Sequence, residues 1–201
     1  MTEQQKIIKK YIGPKECSLN EFLEFIKNKN ERYELINGKV YMMASPNVTH
    51  QNIAGAIYRK LGNYLEGKPC KPFIAPLDVV LSKSLIKDKK DKKKSDSVVQ
   101  PDVFVVCDSD KISKERINGT PDLVFEIVSP SSETHDYFKK FSLYTEHGVR
   151  EYWIVNPETK QIFVKIDSNE ETEKYSFEDK IKISIFDDFY IDFKELFSGI
   201  I

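Results

Sequence analysis

The 201-residue sequence has only three cysteines, Cys17, Cys70 and Cys107, widely separated and without a CxxC pair. Neither a disulfide framework nor a zinc knuckle is expected from that spacing, and a reducing cytoplasm suits the chain best. Long apolar runs are missing as well, none approaching the roughly 20 residues that a membrane helix needs. The first nine residues are polar or charged apart from Met1, Ile7 and Ile8, which speaks against secretion and membrane insertion. Net charge is almost absent: 31 Lys and Arg oppose 32 Asp and Glu, for a formal charge of −1. The molecule as a whole is therefore no magnet for polyanions, and any nucleic-acid contact must come from a local patch. No internal repeat or domain boundary is visible, and 201 residues with 40% hydrophobic side chains suit one domain, residues 1–201, with its own core.

One patch stands out. Lys83 to Lys94 holds seven lysines against Asp88 and Asp91, with only Leu85 and Ile86 apolar. It reads as a loop spanning residues 83–96, either a solvated hairpin tip or an arm that touches phosphates.

Around it the pattern alternates between helix and strand. Ser18 and Glu21 form a capping box ahead of Leu19, Phe22, Leu23 and Ile26, so a short amphipathic helix opens the domain. Arg32 to Ile36 and Lys39 to Met43 flank Asn37-Gly38, the dipeptide suited to a type I′ hairpin turn. After Ser45-Pro46-Asn47, Ile53, Ala54, Ile57, Leu61, Tyr64 and Leu65 keep helical spacing up to Gly67, a C-cap candidate. Phe73 to Leu81, Val98 to Val106 and Asp122 to Val128 read as three central strands. Ser131 or Ser132 can cap a helix ending at Gly148, and Glu151 to Val155 completes a βαβ unit. Gln161 to Ile166 and Lys174 to Phe177 form a meander, and Phe189 to Phe197 a last strand with a helical tail.

Two acids sit where acids are costly. Asp102 falls inside the run Val98 to Val106 and Glu126 between Phe125 and Ile127, and a buried carboxylate needs a metal or donors to offset its desolvation. A lone buried acid is usually satisfied by a backbone amide or an arginine; two in successive strands point to a shared ligand. Oxygen donors of this kind suit hard cations, Mg²⁺ or Mn²⁺. On a wheel of about 100° per residue, Tyr137, Phe141 and Tyr144 form the buried stripe of the following helix. Lys140 lies at its edge, able to reach the sheet, and Lys139 points to solvent. Lys140 then either stabilises charge developing on a phosphoryl group or merely snorkels along the helix flank. His50, at the start of the long helix, is either a general base or phosphate ligand, or a histidine bonded to its own loop. Asp78 adds a further carboxylate to the strand ending at Leu81.

Several segments together carry a family resemblance. Tyr33-Glu34-Leu35-Ile36-Asn37-Gly38, Ser45-Pro46, His50, Pro101-Asp102-Val103, Pro121 through Ser131, Lys140, Tyr144 and Glu151-Tyr152-Trp153 resemble the Uma family of "putative restriction endonucleases", over roughly residues 18–165. That family belongs to the PD-(D/E)XK nuclease superfamily. The resemblance implies a restriction-endonuclease-like α/β fold, a mixed β-sheet flanked by helices, with an N-terminal helix and hairpin and a C-terminal meander. It also implies a divalent-metal-dependent endonuclease acting on nucleic acid, with DNA the expected polymer. Pro101-Asp102 matches the PD element and Glu126 the second acid. Val128 stands where the superfamily usually has lysine, and Lys140 matches the family's lysine, moved to the next helix. Glu34 matches an acid often added near the metal site, and His50 the family's histidine. Asp102, Glu126 and the Ile127 carbonyl would hold the Mg²⁺ or Mn²⁺. A catalytically silent module that binds nucleic acid or protein on the same fold is the main alternative, and a glycosidase-like acid pair a more distant one. The resemblance is as compatible with a homodimer as with a single working chain.

Overall fold

Ser18 caps α1 (Leu19–Ile26) as the sequence predicts: its side chain accepts from the Glu21 amide, and the Glu21 carboxylate accepts from the Ser18 amide at 2.8 Å. The hairpin follows, with Asn37 (φ 48°) and Gly38 (φ 76°) supplying the two positive φ angles of a type I′ turn between β1 (Tyr33–Ile36) and β2 (Lys39–Met42). The register sets Glu34 directly opposite Tyr41. In α2 (Val48–Leu65), Asn47 caps the helix by accepting from the His50 amide at 2.8 Å, and Gly67 at φ 73° turns the chain away after it. Ile53, Ile57, Leu61 and Leu65 form its fully buried stripe. Burying each such side chain stabilises by roughly 1.5–3 kcal/mol, enough to lock the helix on the sheet. The computed structural model describes residues 16–82, 96–128 and 135–200, without the side chains of 135–138. The lysine-rich stretch, the Ser129-Pro130-Ser131 segment with its candidate caps and the Tyr137 side chain lie outside the described residues.

Two of the three expected central strands are interrupted. Phe73 to Leu81 becomes β3 (Lys71–Ile74) and β4 (Val79–Leu81), and Val98 to Val106 becomes β5 (Ser97–Val99) and β6 (Val103–Val106). Pro76 and Pro101 sit at the interruptions, where proline offers no amide to a ladder. The halves then join different sheets. β2-β1-β5-β4-β7, with β7 spanning Ile117–Asn118, forms one sheet. The other has the order β11-β10-β9-β8-β6-β3, built from β8 (Leu123–Ile127), β9 (Glu151–Asn156), β10 (Gln161–Ile166) and β11 (Thr172–Ser176). Within the second sheet β8 and β9 are parallel and joined through α3 (His135–Glu146), the expected βαβ unit; the remaining pairs are antiparallel. A ribbon of β12 (Lys180–Lys182) and β13 (Tyr190–Asp192) leads into α4 (Phe193–Leu196).

Strand alternation sorts the core. Val103, Val105, Leu123, Phe125 and Ile127 pack with α2 and the C-terminal ribbon. Phe104, Val106, Val124, Tyr152 and Ile154 pack on the other side with Leu143 and Tyr144 of α3. Even-numbered positions of β6 and β8 thus face α3.

Cys70 and Cys107 are joined by a disulfide, which overturns the expectation that none forms. They continue the β3/β6 register one step past Lys71 and Val106. A sequence separation of 37 residues hid that adjacency. Cys17 is a buried free thiol. Among the described residues no helix is long and apolar enough to cross a membrane.

Candidate active site

β6 pairs antiparallel with β8, placing Val103 opposite Phe125. One residue further along the same register, Asp102 comes opposite Glu126, on the face turned to α3. Asp102 lies just outside β6, in the break that Pro101 opens, so its carboxylate can bend over the end of β8. Its Oδ2 accepts from the Ile127 amide at 2.8 Å and lies 3.1 Å from His50 Nε2. The N–H and C=O of one strand residue point to the same side. The Ile127 carbonyl therefore also faces the Asp102 side of β8.

Lys140 closes the group from α3. Its Nζ donates to Glu126 Oε1 at 2.9 Å and to Glu34 Oε1 at 2.8 Å, and the lysine is only 4% exposed. This is an ion-paired lysine in the site, and the snorkelling alternative falls away. Tyr144, one turn on, donates its hydroxyl to the same Glu126 oxygen at 2.8 Å. Burial, with the nearby Asp102 and Glu34 charges, pushes the Glu126 carboxyl up to about 7 against the pull of Lys140. Burial alone would lower the Lys140 ammonium, but Glu126, Glu34 and Asp102 hold it well above its usual range. Tyr144 is likewise held protonated by burial and by the same glutamates.

His50 hangs from the first turn of α2 with its side chain 11% exposed. Burial works against its charged form, yet the hydrogen bond and charge of Asp102 raise its pKa overall. Its Nδ1 is buried without a hydrogen-bond partner among the described residues. Asn47 bonds the His50 backbone while the His50 ring bonds Asp102, so the ring itself is not tied to its own loop. Glu34, fully buried, also accepts from the Gln100 amide at 3.0 Å. Asp78 precedes β4 and accepts from the Gln100 side chain at 2.9 Å, joining the group through Gln100.

Sequence reasoning missed three participants. Tyr144 was assigned to the apolar stripe, although a tyrosine on a buried stripe must place its hydroxyl somewhere, and the nearest buried acceptor was Glu126. Gln100 precedes Pro101-Asp102 and bridges two acids, a role that its place in the run Val98 to Val106, read as one strand, did not announce. Lys139 does not point to solvent: it is half-buried, donating to the Tyr41 hydroxyl at 2.9 Å with its ammonium 4.5 Å from that ring's centroid. The wheel was right in separating the two lysines, but it ignored the hairpin that covers the Lys139 side.

Among the described residues, Asp102 engages protein only through Oδ2 and Glu126 only through Oε1. The oxygens left over, together with the Ile127 carbonyl, form an all-oxygen donor set that fits a hard divalent cation. Among the described residues no three His, Cys, Asp or Glu side chains converge as a metal cluster. The open set is two carboxylates and a carbonyl, and the third acid, Glu34, is taken up by Lys140.

The fold that carries this group, mixed sheets flanked by helices, is restriction-endonuclease-like. The structure is similar to a crystal structure titled a "putative nuclease belonging to DUF820" from Anabaena variabilis, with a TM-score of 0.74 over 92% of this chain and 99% of that one at 20% identity. At that identity the likeness speaks to the fold. An uncharacterized protein of Synechocystis sp. is 25% identical over 146 residues, 72% of this chain and 71% of its own length. The chain belongs to the Uma2 family, described as "Putative restriction endonuclease", which matches residues 19–193. The match extends the motif resemblance through the C-terminal ribbon.

Proposed function

We propose that this chain is a divalent-cation-dependent endonuclease that hydrolyses phosphodiester bonds in nucleic acid, DNA foremost. The observation that carries the reading is the opposition of Asp102 and Glu126 on neighbouring strands, with Lys140 bonded to Glu126. Asp102, Glu126 and the Ile127 carbonyl would hold Mg²⁺ or Mn²⁺, which when bound supplies charge neutralisation at the scissile phosphate and acidifies a water. The chain's own groups do the rest. Ile127 and His50 fix the Asp102 carboxylate by its Oδ2. Lys140 and Tyr144 fix Glu126 by one oxygen, and among the described residues the other has no partner. Lys140 also brings a permanent positive charge to where negative charge grows in the transition state. His50 Nδ1, buried without a hydrogen-bond partner among the described residues, is the ring atom left to carry a proton.

The test is incubation of the purified chain with supercoiled, linear and single-stranded DNA and with RNA, in Mg²⁺, Mn²⁺ or chelator. Cleavage with either cation and none in chelator is expected. Asp102→Asn and Glu126→Gln should each lose on the order of 100-fold or more in rate while staying folded. Retarded but intact nucleic acid under every condition would mean a binding module, and full activity in both variants would remove the site assignment.

A further inference from the structure

The β1/β2 hairpin presents one face to the acid cluster. Directly opposed residues of an antiparallel pair project to the same side, so Tyr41 shares the side of Glu34. Alternation along the chain adds Arg32 to that side, two residues before Glu34, where its carbonyl accepts from the Met43 amide at 2.9 Å. Four carboxylates, Asp102, Glu126, Glu34 and Asp78, belong to the site and its hydrogen-bonded surroundings. Lys140 pairs with two of them. Lys139 pairs with none among the described residues: its contacts are the hydroxyl and ring of Tyr41. Arg32 likewise has no carboxylate partner there; it donates to the Ala44 carbonyl at 3.4 Å and lies close enough to His50 for its charge to be felt.

A half-buried ammonium beside acids normally pairs with one of them. Here its neighbour is a phenol, which accepts from Lys139 and keeps its own proton to donate. Among the described residues, the Lys139–Tyr41 pair therefore offers donors and positive charge without an internal anion, which is the chemistry that receives a phosphate. Arg32 offers the same on the His50 side of the hairpin.

We propose that Lys139, with Tyr41, and Arg32 are substrate-binding residues that hold backbone phosphates of a polynucleotide on either side of the acid cluster. This rests on the nuclease reading and extends it, giving the site a polyanion clamp that the near-neutral surface as a whole lacks. Because the contacts are to phosphate, they set affinity and register and carry no base preference.

Binding of a labelled DNA duplex and of the matching single strand to the full chain, titrated across salt in chelator, reads the clamp without cleavage. Lys139→Met keeps the packing on Tyr41 and removes the charge. It should weaken binding about tenfold and lower the log–log salt slope by about one, at an unchanged melting temperature. Lys139→Arg should restore most of that loss, Tyr41→Phe should lose less than Lys139→Met, and Arg32→Ala should lower the slope by a further unit or so. If wild type cleaves DNA while Lys139→Met and Arg32→Ala bind it with wild-type affinity and slope, the clamp is wrong and the nuclease reading survives. If wild type neither binds nor cleaves any polynucleotide, the nuclease reading itself fails and takes the clamp with it.

Discussion

Strands β8 and β9 lie side by side in parallel, and each buries a glutamate at an opposite end. Glu151 starts β9 opposite Leu123, and Glu126 nears the end of β8 opposite Ile154. At the Glu151 end, Oε1 accepts from the Trp153 indole at 2.9 Å and Oε2 from the Ile185 amide at 3.0 Å. Both oxygens are occupied by neutral donors, and the bond to Ile185 ties the C-terminal segment to the sheet. At the Glu126 end a single oxygen takes both Lys140 and Tyr144, the other has no partner among the described residues, and further carboxylates crowd in. Burial raises both carboxyls, so burial does not tell them apart. What distinguishes a site from a structural tie is the unfilled bonding capacity and the like charge around it.

Removing Lys140 should give the largest effect. Lys140→Ala leaves Glu34 and Glu126 buried without their cation, and breaking one partner out of a buried ion pair costs roughly 3–5 kcal/mol. In chelator the melting temperature should fall sharply, and Mn²⁺ should restore part of it by neutralising the same acids. A Lys140→Ala variant that melts like wild type in chelator would mean that the cluster is not held by this charge.

At the other end, Glu151→Ala should cost about 2–3 kcal/mol, since the Trp153 indole and the Ile185 amide lose their acceptor while still buried. Trp153 is the chain's one tryptophan, so its fluorescence reports this end alone. Mn²⁺ should stabilise the variant only as much as it stabilises wild type, leaving the deficit in place. A Mn²⁺-dependent gain in Glu151→Ala larger than that of wild type would erase the distinction between the two ends.

The same contrast explains how much was legible in the sequence. The α1 cap, the Asn37-Gly38 hairpin, the α2 stripe and the βαβ unit rest on local chemistry, and each stands as read. Asp102 and Glu126 were found because a carboxylate in an apolar run is anomalous. Glu151 opens a strand, where an acid looks ordinary, so nothing flagged that its side chain turns inward to the indole two residues on. Breaks at Pro76 and Pro101, the Cys70–Cys107 bond and the Lys139–Tyr41 contact depend on which strands become neighbours. Periodicity along one segment carries no information about that. Lys140 was legible as a direction on a helix wheel, but its pairing with Glu34 depends on the hairpin arriving from another sheet.

The smallest effect is also the one that separates the two glutamates most cleanly, because it asks whether a proton and a cation compete for one carboxylate. The Glu126 carboxyl sits at about 7 in the folded chain against an ordinary 4.5. Between those values the folded state holds a proton that the unfolded chain has released. The stability from that proton is fully present below the unfolded value and is lost as pH rises through about 7. His50 and Glu151 are also raised and contribute with the same sign, so the Glu126 share is the part that Glu126→Gln removes. In chelator, the fall in melting temperature between about pH 5 and about pH 8 should be shallower in Glu126→Gln than in wild type. A cation needs the deprotonated carboxylate, so its affinity rises as that proton leaves. The Mn²⁺-induced stabilisation, about 1–2 kcal/mol at ten or more times the dissociation constant, should therefore grow as pH passes through 7. It should persist in Glu151→Gln and vanish in Glu126→Gln. A Mn²⁺ effect that ignores pH, or that survives Glu126→Gln, would show that the cation sits elsewhere and that the open Glu126 oxygen is not its ligand.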